Sequence, residues 1–191
     1  MPGNLHITGD PEADRLLNTD GTALLIGMLL DQQVPMEWAF RGPATLAERL
    51  GHLDASRIAA MEAGAFVEVC RTKPAIHRFP KSMGQRIHAL CRHLADEYGG
   101  DGAALWSDDP DAATLHGRIT ELPGFGEEKS RIFLALLAKR FGVRPEGWED
   151  FAGPFADATP RSAADVDGQE ALAEVREWKR TQRAAGKTKQ D

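Results

Sequence analysis

The sequence predicts an all-α protein. Two observations carry that class: almost every apolar pattern repeats with the period of a helix, and no stretch alternates apolar and polar residues over the length of a strand. A third supports it, because residues 127–142 are apolar nearly all round at their centre, as in a helix buried within a small bundle. No internal repeat is present. At 191 residues the chain is long enough for one ample core or for two small helical lobes sharing a groove.

In order, "TALLIGMLLDQQ" (22–33) opens an apolar run behind the break at Asp20 and Gly21. Residues 45–50 and 55–62 read as short helices, with Asp54 and Ser56 placed as caps. "RTKPAIHRFPKS" follows, and its two prolines exclude a continuous helix. In "MGQRIHALCRHLADEYGG", Ile87, Leu90, Cys91, Leu94, Ala95 and Tyr98 share one apolar face that ends at a double-glycine stop. A helix around 110–121 begins after a run of aspartates suited to a helix N-terminus. The turn ELPGFG joins it to the 127–142 helix. Residues 143–166 read as irregular, and "DGQEALAEVREWKRTQRAAGK" closes the chain as a helix fraying into a basic tail.

Composition narrows the function. Hydrophobic residues make up 42% and charged residues 27%, ordinary for a globular protein. No apolar run reaches membrane-spanning length, and the Met-Pro-Gly-Asn start has no basic region leading into an apolar one. An intracellular protein is expected. Cys70 and Cys91 are too few and too far apart for a zinc or iron–sulfur ligand set, and Cys91 reads as a small core residue. The formal net charge of −6 argues against nucleic acid, but its distribution argues the other way. Residues 71–95 contain no acid and hold Arg71, Lys73, Arg78, Lys81, Arg86 and Arg92, and the last sixteen residues carry six Lys or Arg against two acids. The local field governs a phosphate contact, so a basic patch on an acidic chain can still bind one.

The LPGFG turn has a specific logic. Gly124 and Gly126 allow backbone conformations that other residues resist, and Phe125 can plug the junction of two helices. The turn's N–H groups and the dipole of the helix behind it then suit a phosphate. Such a contact positions the backbone and reads no sequence. The alternative is an ordinary tight corner between helices.

LPGFG and the helix behind it resemble the helix-hairpin-helix of the HhH-GPD superfamily of base-excision DNA glycosylases. "LLIGMLLDQQVPMEWAF" (24–40) is similar to that superfamily's early helix, which ends in a Gln-containing string in alkyladenine-type members. The resemblance covers roughly residues 20–155 of a single 1–191 domain, leaving 156–191 as C-terminal helix and tail. It implies two helical lobes flanking a DNA-binding cleft, with Leu122, Gly124, Phe125, Gly126 and Lys129 forming the phosphate-holding hairpin. Gln32 or Gln33 would fill the gap left by a flipped nucleotide, since extruding a base costs a few kcal/mol that an inserted side chain partly offsets.

For chemistry, cleavage of an N-glycosidic bond calls for a carboxylate beside the developing positive charge on the sugar. Superfamily members that also nick the strand use a Lys two residues after the last hairpin glycine. Here that place is Glu128, and Lys129 lies about 100° further round the helix, so lyase chemistry is not expected and Lys129 reads as a phosphate contact or surface charge. Counting to the superfamily's essential Asp reaches Glu146; Asp150 is the nearest aspartate, and Asp157 follows Gly-Pro. None reproduces the usual string around that Asp, so the carboxylate stays open between Glu146 and Asp150, with Asp157 behind. Among Trp38, Trp106, Trp148 and Trp178, Trp148 is the expected base-stacking residue because it sits in the same loop. The resemblance therefore implies a monomeric, monofunctional DNA-repair glycosylase, cytoplasmic and nucleoid-associated. It would act on double-stranded DNA with a damaged base and need no metal or cofactor. The alternative is an inactive helix-hairpin-helix module that only binds or senses damage.

Overall fold

The computed structural model describes residues 3–190; Met1, Pro2 and Asp191 lie outside them. Among the described residues there are ten α-helices, three short 3₁₀ turns and no strand, and no helix is long and apolar enough to cross a membrane. In order the helices are α1 (Pro11–Thr19), α2 (Gly21–Leu30), α3 (Met36–Leu50), α4 (Ala55–Ala60), α5 (Ala63–Arg71), α6 (Pro80–Tyr98), α7 (Ala112–Thr120), α8 (Glu127–Phe141), α9 (Trp148–Ala152) and α10 (Gln169–Ala184). The 3₁₀ turns are Gly102–Leu105, Gly153–Ala156 and Ala163–Asp165.

The core is organised around α2, buried at every residue except Gly21. A helix apolar on all sides must be wrapped on all sides, and α1, α3, α6 and the Gly102–Leu105 turn pack against it. Asp20 caps its N-terminus by accepting the Ala23 N–H at 3.0 Å. The second buried helix, α8, is covered from Ile132 to Ala138 and packs against α7, α9 and the two later 3₁₀ turns. One hydrophobic cluster runs through both, from Leu5 to Val175.

Three helices go beyond the sequence expectation. The first, α1, starts at an Asp10 cap with Pro11 behind it, a start signal that holds no long apolar run. Its buried Asp14 and Asn18 take up the backbone of the incoming segment: Asp14 accepts from Ile7 and Thr8, and Asn18 exchanges two hydrogen bonds with Leu5. The second, α5, is opened by Glu62 accepting the Ala65 N–H at 2.7 Å. The third, α9, is a single turn within the stretch expected to be irregular. The helix expected over 45–50 is the end of a longer one, α3, which contains Pro43. That proline forgoes one backbone bond, but it is buried beside the packed α2–α3 contact. The double-glycine stop appears as expected, with Gly99 left-handed and its N–H bonded to Leu94 O.

Among the described glycines, the closest approach to another segment's backbone joins α2 to the Gly102–Leu105 turn. A Cβ on Gly21 would lie 2.4 Å from the Ala103 nitrogen, and one on Gly102 would lie 2.6 Å from the Thr22 nitrogen. Both obstructions are backbone, so neither can rotate away. Replacing Gly102 by Ala is expected to destabilise the fold by at least about 1–3 kcal/mol, read as a lower urea midpoint at unchanged m-value.

Candidate functional site

The 121–126 turn closes on itself through Leu122 N–H to Ile119 O (3.2 Å) and Phe125 N–H to Leu122 O (3.0 Å). Gly124 sits at φ +87° with its α-carbon against Leu29, where a side chain would be both strained and crowded. Leu122 and Phe125 are buried, and the Phe125 ring meets Phe133 edge-on at 5.7 Å. Gly126 caps α8 without a side-chain hydrogen bond. The amides of Gly124, Gly126, Glu127, Glu128 and Lys129 have no acceptor among the described residues, so the positive end of α8 presents free donors to solvent. The two glutamates are turned aside from them. Glu127 pairs with Arg131 at 2.8 Å, and Glu128 meets Lys189 at 3.3 Å and Gln190 at 3.4 Å.

Lys129 corrects the sequence reading. Its ammonium group is neither a surface charge nor aimed outward with the free amides. It donates to Met28 O (2.7 Å) and Leu29 O (2.8 Å), with Asp31 O at 3.5 Å, closing the C-terminus of α2. Those carbonyls have no successors within the helix, and a cation at a helix C-terminus also meets the favourable end of the dipole. Burial pulls the Lys129 amine down to about 8, against the opposing pull of Asp31.

This contact fastens the turn to the 31–35 loop. Gln32 is immobilised there: its amide donates to Met83 Sδ (3.1 Å) and Leu29 O (3.4 Å), and its Oε1 accepts from Arg86 (3.4 Å). Gln33 is the opposite case, exposed, at φ +57°, with no side-chain hydrogen bond among the described residues. Of the two glutamines, only Gln33 is free to reach outward. Its left-handed backbone is costly for a residue with a β-carbon and is held by the fixed neighbours on either side.

Beside the loop stands a short aromatic stack. Trp38 (41% exposed) faces His77 at 6.3 Å, and His77 faces Phe79 (42% exposed) at 6.0 Å, with Arg78 over the Phe79 ring at 5.3 Å. The central ring is neutral and of one tautomer. Its Nε2–H donates to Gln32 O at 3.0 Å, and its Nδ1 accepts the Phe79 N–H at 3.0 Å; burial lowers its pKa.

A cavity of about 750 Å³ opens between the loop and α10. Asp31, Gln32, Gln33, Met36 and Glu37 line one side, while Arg176, Lys179, Arg180 and Arg183 of α10 line the other, joined by Arg78 and Lys189. Six cations thus face two carboxylates in a chain whose net charge is −6. The four residues from α10 lie at i, i+3, i+4 and i+7, a basic stripe legible in the sequence at helical spacing but not read as such. The basic 71–95 stretch divides: Arg78 and Arg86 turn to this side, whereas Arg71 pairs with Glu68 at 2.9 Å.

The expected catalytic carboxylates lie elsewhere. Glu146 and Asp150 are exposed, the first before α9 and the second in its first turn, and neither lines the cavity. Residues 143–152 follow the C-terminal end of α8, whereas the turn sits at its N-terminal end. Asp157 is held by Arg161 at 2.7 Å. Trp148 is 9% exposed and belongs to the hydrophobic core, so it packs rather than stacks. Trp38 is the exposed tryptophan. Asp31, at the end of α2, is the carboxylate the sequence reading missed; it lines the cavity with no side-chain hydrogen bond among the described residues.

Comparisons with protein-family models, curated proteins and solved structures returned no match for this chain.

The amine of Lys129 is expected to titrate near 8 rather than near the free-lysine value of about 10.4, which nitrogen NMR of its side chain measures directly. The folded value lies below the unfolded one, so the unfolded chain holds more protons between them. Stability relative to Lys129→Met therefore rises as pH climbs from about 8 toward about 10.4.

Proposed function

We propose that this chain is a helix-hairpin-helix DNA-binding protein acting as a monofunctional DNA glycosylase on duplexes with a damaged base. One observation carries the reading: the head of α8 with its unbonded amides adjoins the cationic cavity, because Lys129 ties it to the end of α2, Lys189 of the cavity wall meets Glu128, and Gln33 of the same loop lines the cavity. In this reading the amides and the N-terminal end of α8 take a backbone phosphate. Gln33 enters the stack where a nucleotide leaves it, and the cavity between the 31–35 loop and α10 serves as the cleft that receives the extruded base and sugar. The Trp38–His77–Phe79 stack offers π-faces beside the opening, where bases stack without regard to sequence.

Hydrolysis needs a carboxylate near the anomeric carbon, and within this cleft Asp31 has the position that Glu146 and Asp150 lack. Lining the cavity beside its cations, that carboxylate is placed to stabilise an oxocarbenium-like sugar or to activate water. The second reading, a module that binds damaged DNA without cutting it, is favoured by the exposure of Glu146 and Asp150 away from the cleft.

Duplexes carrying one alkylated base, uracil, hypoxanthine or 8-oxoguanine, each followed by alkali, separate the two. An enzyme gives alkali-dependent breaks on at least one lesion. Asp31→Asn is expected to lower base release by about 10²–10³, while Glu146→Gln and Asp150→Asn leave it unchanged. Salt-sensitive binding with no break on any lesion favours the module. In both cases log affinity is expected to fall linearly with log salt, with a slope of about −0.9 per phosphate neutralised; a flat response would sink both readings.

A further inference from the structure

Only two large apolar side chains stand exposed among the described residues, Trp38 and Phe79, and both face the same ring. That ring, His77, is buried and bonded through both nitrogens, one to Gln32 O and one to the Phe79 N–H, so it acts as a fixed spacer between them. Past Phe79 opens a second groove of about 550 Å³, lined by Arg71, Arg78, Phe79, Lys81, Ser82 and Gln85. No carboxylate lines it, and no acid occurs in the chain from Arg71 to Ala95. Arg71 is paired with Glu68 at 2.9 Å. Arg78 has only the face of Phe79 as a partner, at 5.3 Å, and Lys81 has no ion pair among the described residues. Arg78 also lines the first cavity, so one guanidinium belongs to both openings.

We propose that this groove holds an unpaired stretch of DNA, its bases stacked on Phe79 and Trp38 and its phosphates on Arg78 and Lys81. In a duplex each base already lies against its neighbours, so an exposed ring finds a partner only in a base that has lost its own. An apolar protein segment matches the rings but leaves the cations facing no anion. An acidic peptide matches the cations and leaves the rings in water. A single strand alternates the two chemistries along its length, and Arg78, a planar cation lying on Phe79, meets both. The rings are set in advance, because His77 holds the Phe79 backbone on one side and the 31–35 loop on the other. The groove shares no residue with the 121–129 hairpin, so its preference for an unpaired strand stands apart from the duplex reading. What rests on that reading is the consequence for the substrate: the favoured lesion lies beside a gap, an end or a fork, where the base to be extruded has already lost part of its stack. The flank then lies in the groove while the hairpin holds the paired part, with Arg78 at the passage to the cavity.

The test uses the full chain with a blunt duplex, the same duplex carrying a flank of about eight thymidines on either end of one strand, and oligo-thymidine alone, lengths that one such groove covers. The flanked duplex is expected to bind about tenfold more tightly than the blunt one, the effect of a base stacked on a ring. Oligo-thymidine is expected to quench tryptophan emission, and the quench to vanish in Trp38→Phe. Phe79→Ala should remove most of the flank's advantage and Phe79→Tyr should keep it, each variant shown folded by its thermal melt. Lys81→Gln should lower the salt slope for oligo-thymidine by about 0.7. A deoxyribose-phosphate chain without bases, or polyglutamate, binding as tightly as oligo-thymidine marks a plain polyanion surface and overturns the proposal. So does a flank advantage that survives Phe79→Ala, and tighter binding of oligo-uridine overturns the assignment to DNA. Salt-sensitive binding of blunt and flanked duplexes alike, without quenching, overturns the groove while leaving the DNA reading standing. Binding of oligo-thymidine without either duplex keeps the groove and overturns the duplex reading. Binding of none of these probes overturns both.

Discussion

The ammonium group of Lys129 on the last carbonyls of α2 is the contact from which the candidate site is built. Because α2 is buried along its length, its C-terminal carbonyls cannot all turn to water. An unmet carbonyl in that place costs on the order of 1–3 kcal/mol, and an unmet ammonium costs more. Each is the remedy for the other. The consequence is geometric: the first turn of α8 is locked to the end of α2, and the loop after α2 inherits a fixed position relative to the 121–126 turn. Gln32 is then pinned by Met83 and Arg86, His77 is pinned by Gln32, and Gln33 is forced into the left-handed region.

Charge is handled by the same principle of local pairing. The glutamates at the start of α8 favour its dipole, and their side chains are drawn sideways by Arg131 and Lys189, so the amides stay open to an anion. An acidic chain thereby keeps one positive face. At ordinary ionic strength its field reaches roughly 8–10 Å, so the cavity's cations act on what enters it while the distant acids contribute little.

Much of the scaffold is legible in the sequence because it follows from periodicity. The helices at 21–30, 80–98 and 127–141, the glycine stops and the all-helical class each depend on residues close together in the chain. The site is less legible because it depends on direction. The rotation of about 100° between Glu128 and Lys129 can be read from the sequence, but not that α2's carbonyls occupy the place where Lys129 points. Counting along the chain led to Glu146 and Asp150, whereas α9 carries that segment away from the cavity and Asp31 comes to it from a hundred residues earlier. Proximity in sequence likewise favoured Trp148, whose loop folds its ring into the core. The stripe on α10 was visible as spacing; what it faces is set only by the packing of the last helix against the loop after α2.

The four tryptophans are distributed in a way that makes the molecule its own optical instrument. Trp38 alone is exposed, in the stack beside the cavity, while Trp148 is enclosed in the core and Trp106 and Trp178 are partly covered. An indole in water emits to the red of one in an apolar interior, and the solvent-facing ring is the one an added quencher reaches. Red-edge intensity and quencher accessibility therefore follow events at the loop, and the blue component follows the integrity of the core. Arrival of a ligand and loss of the fold can be told apart in a single emission spectrum, without attaching any label.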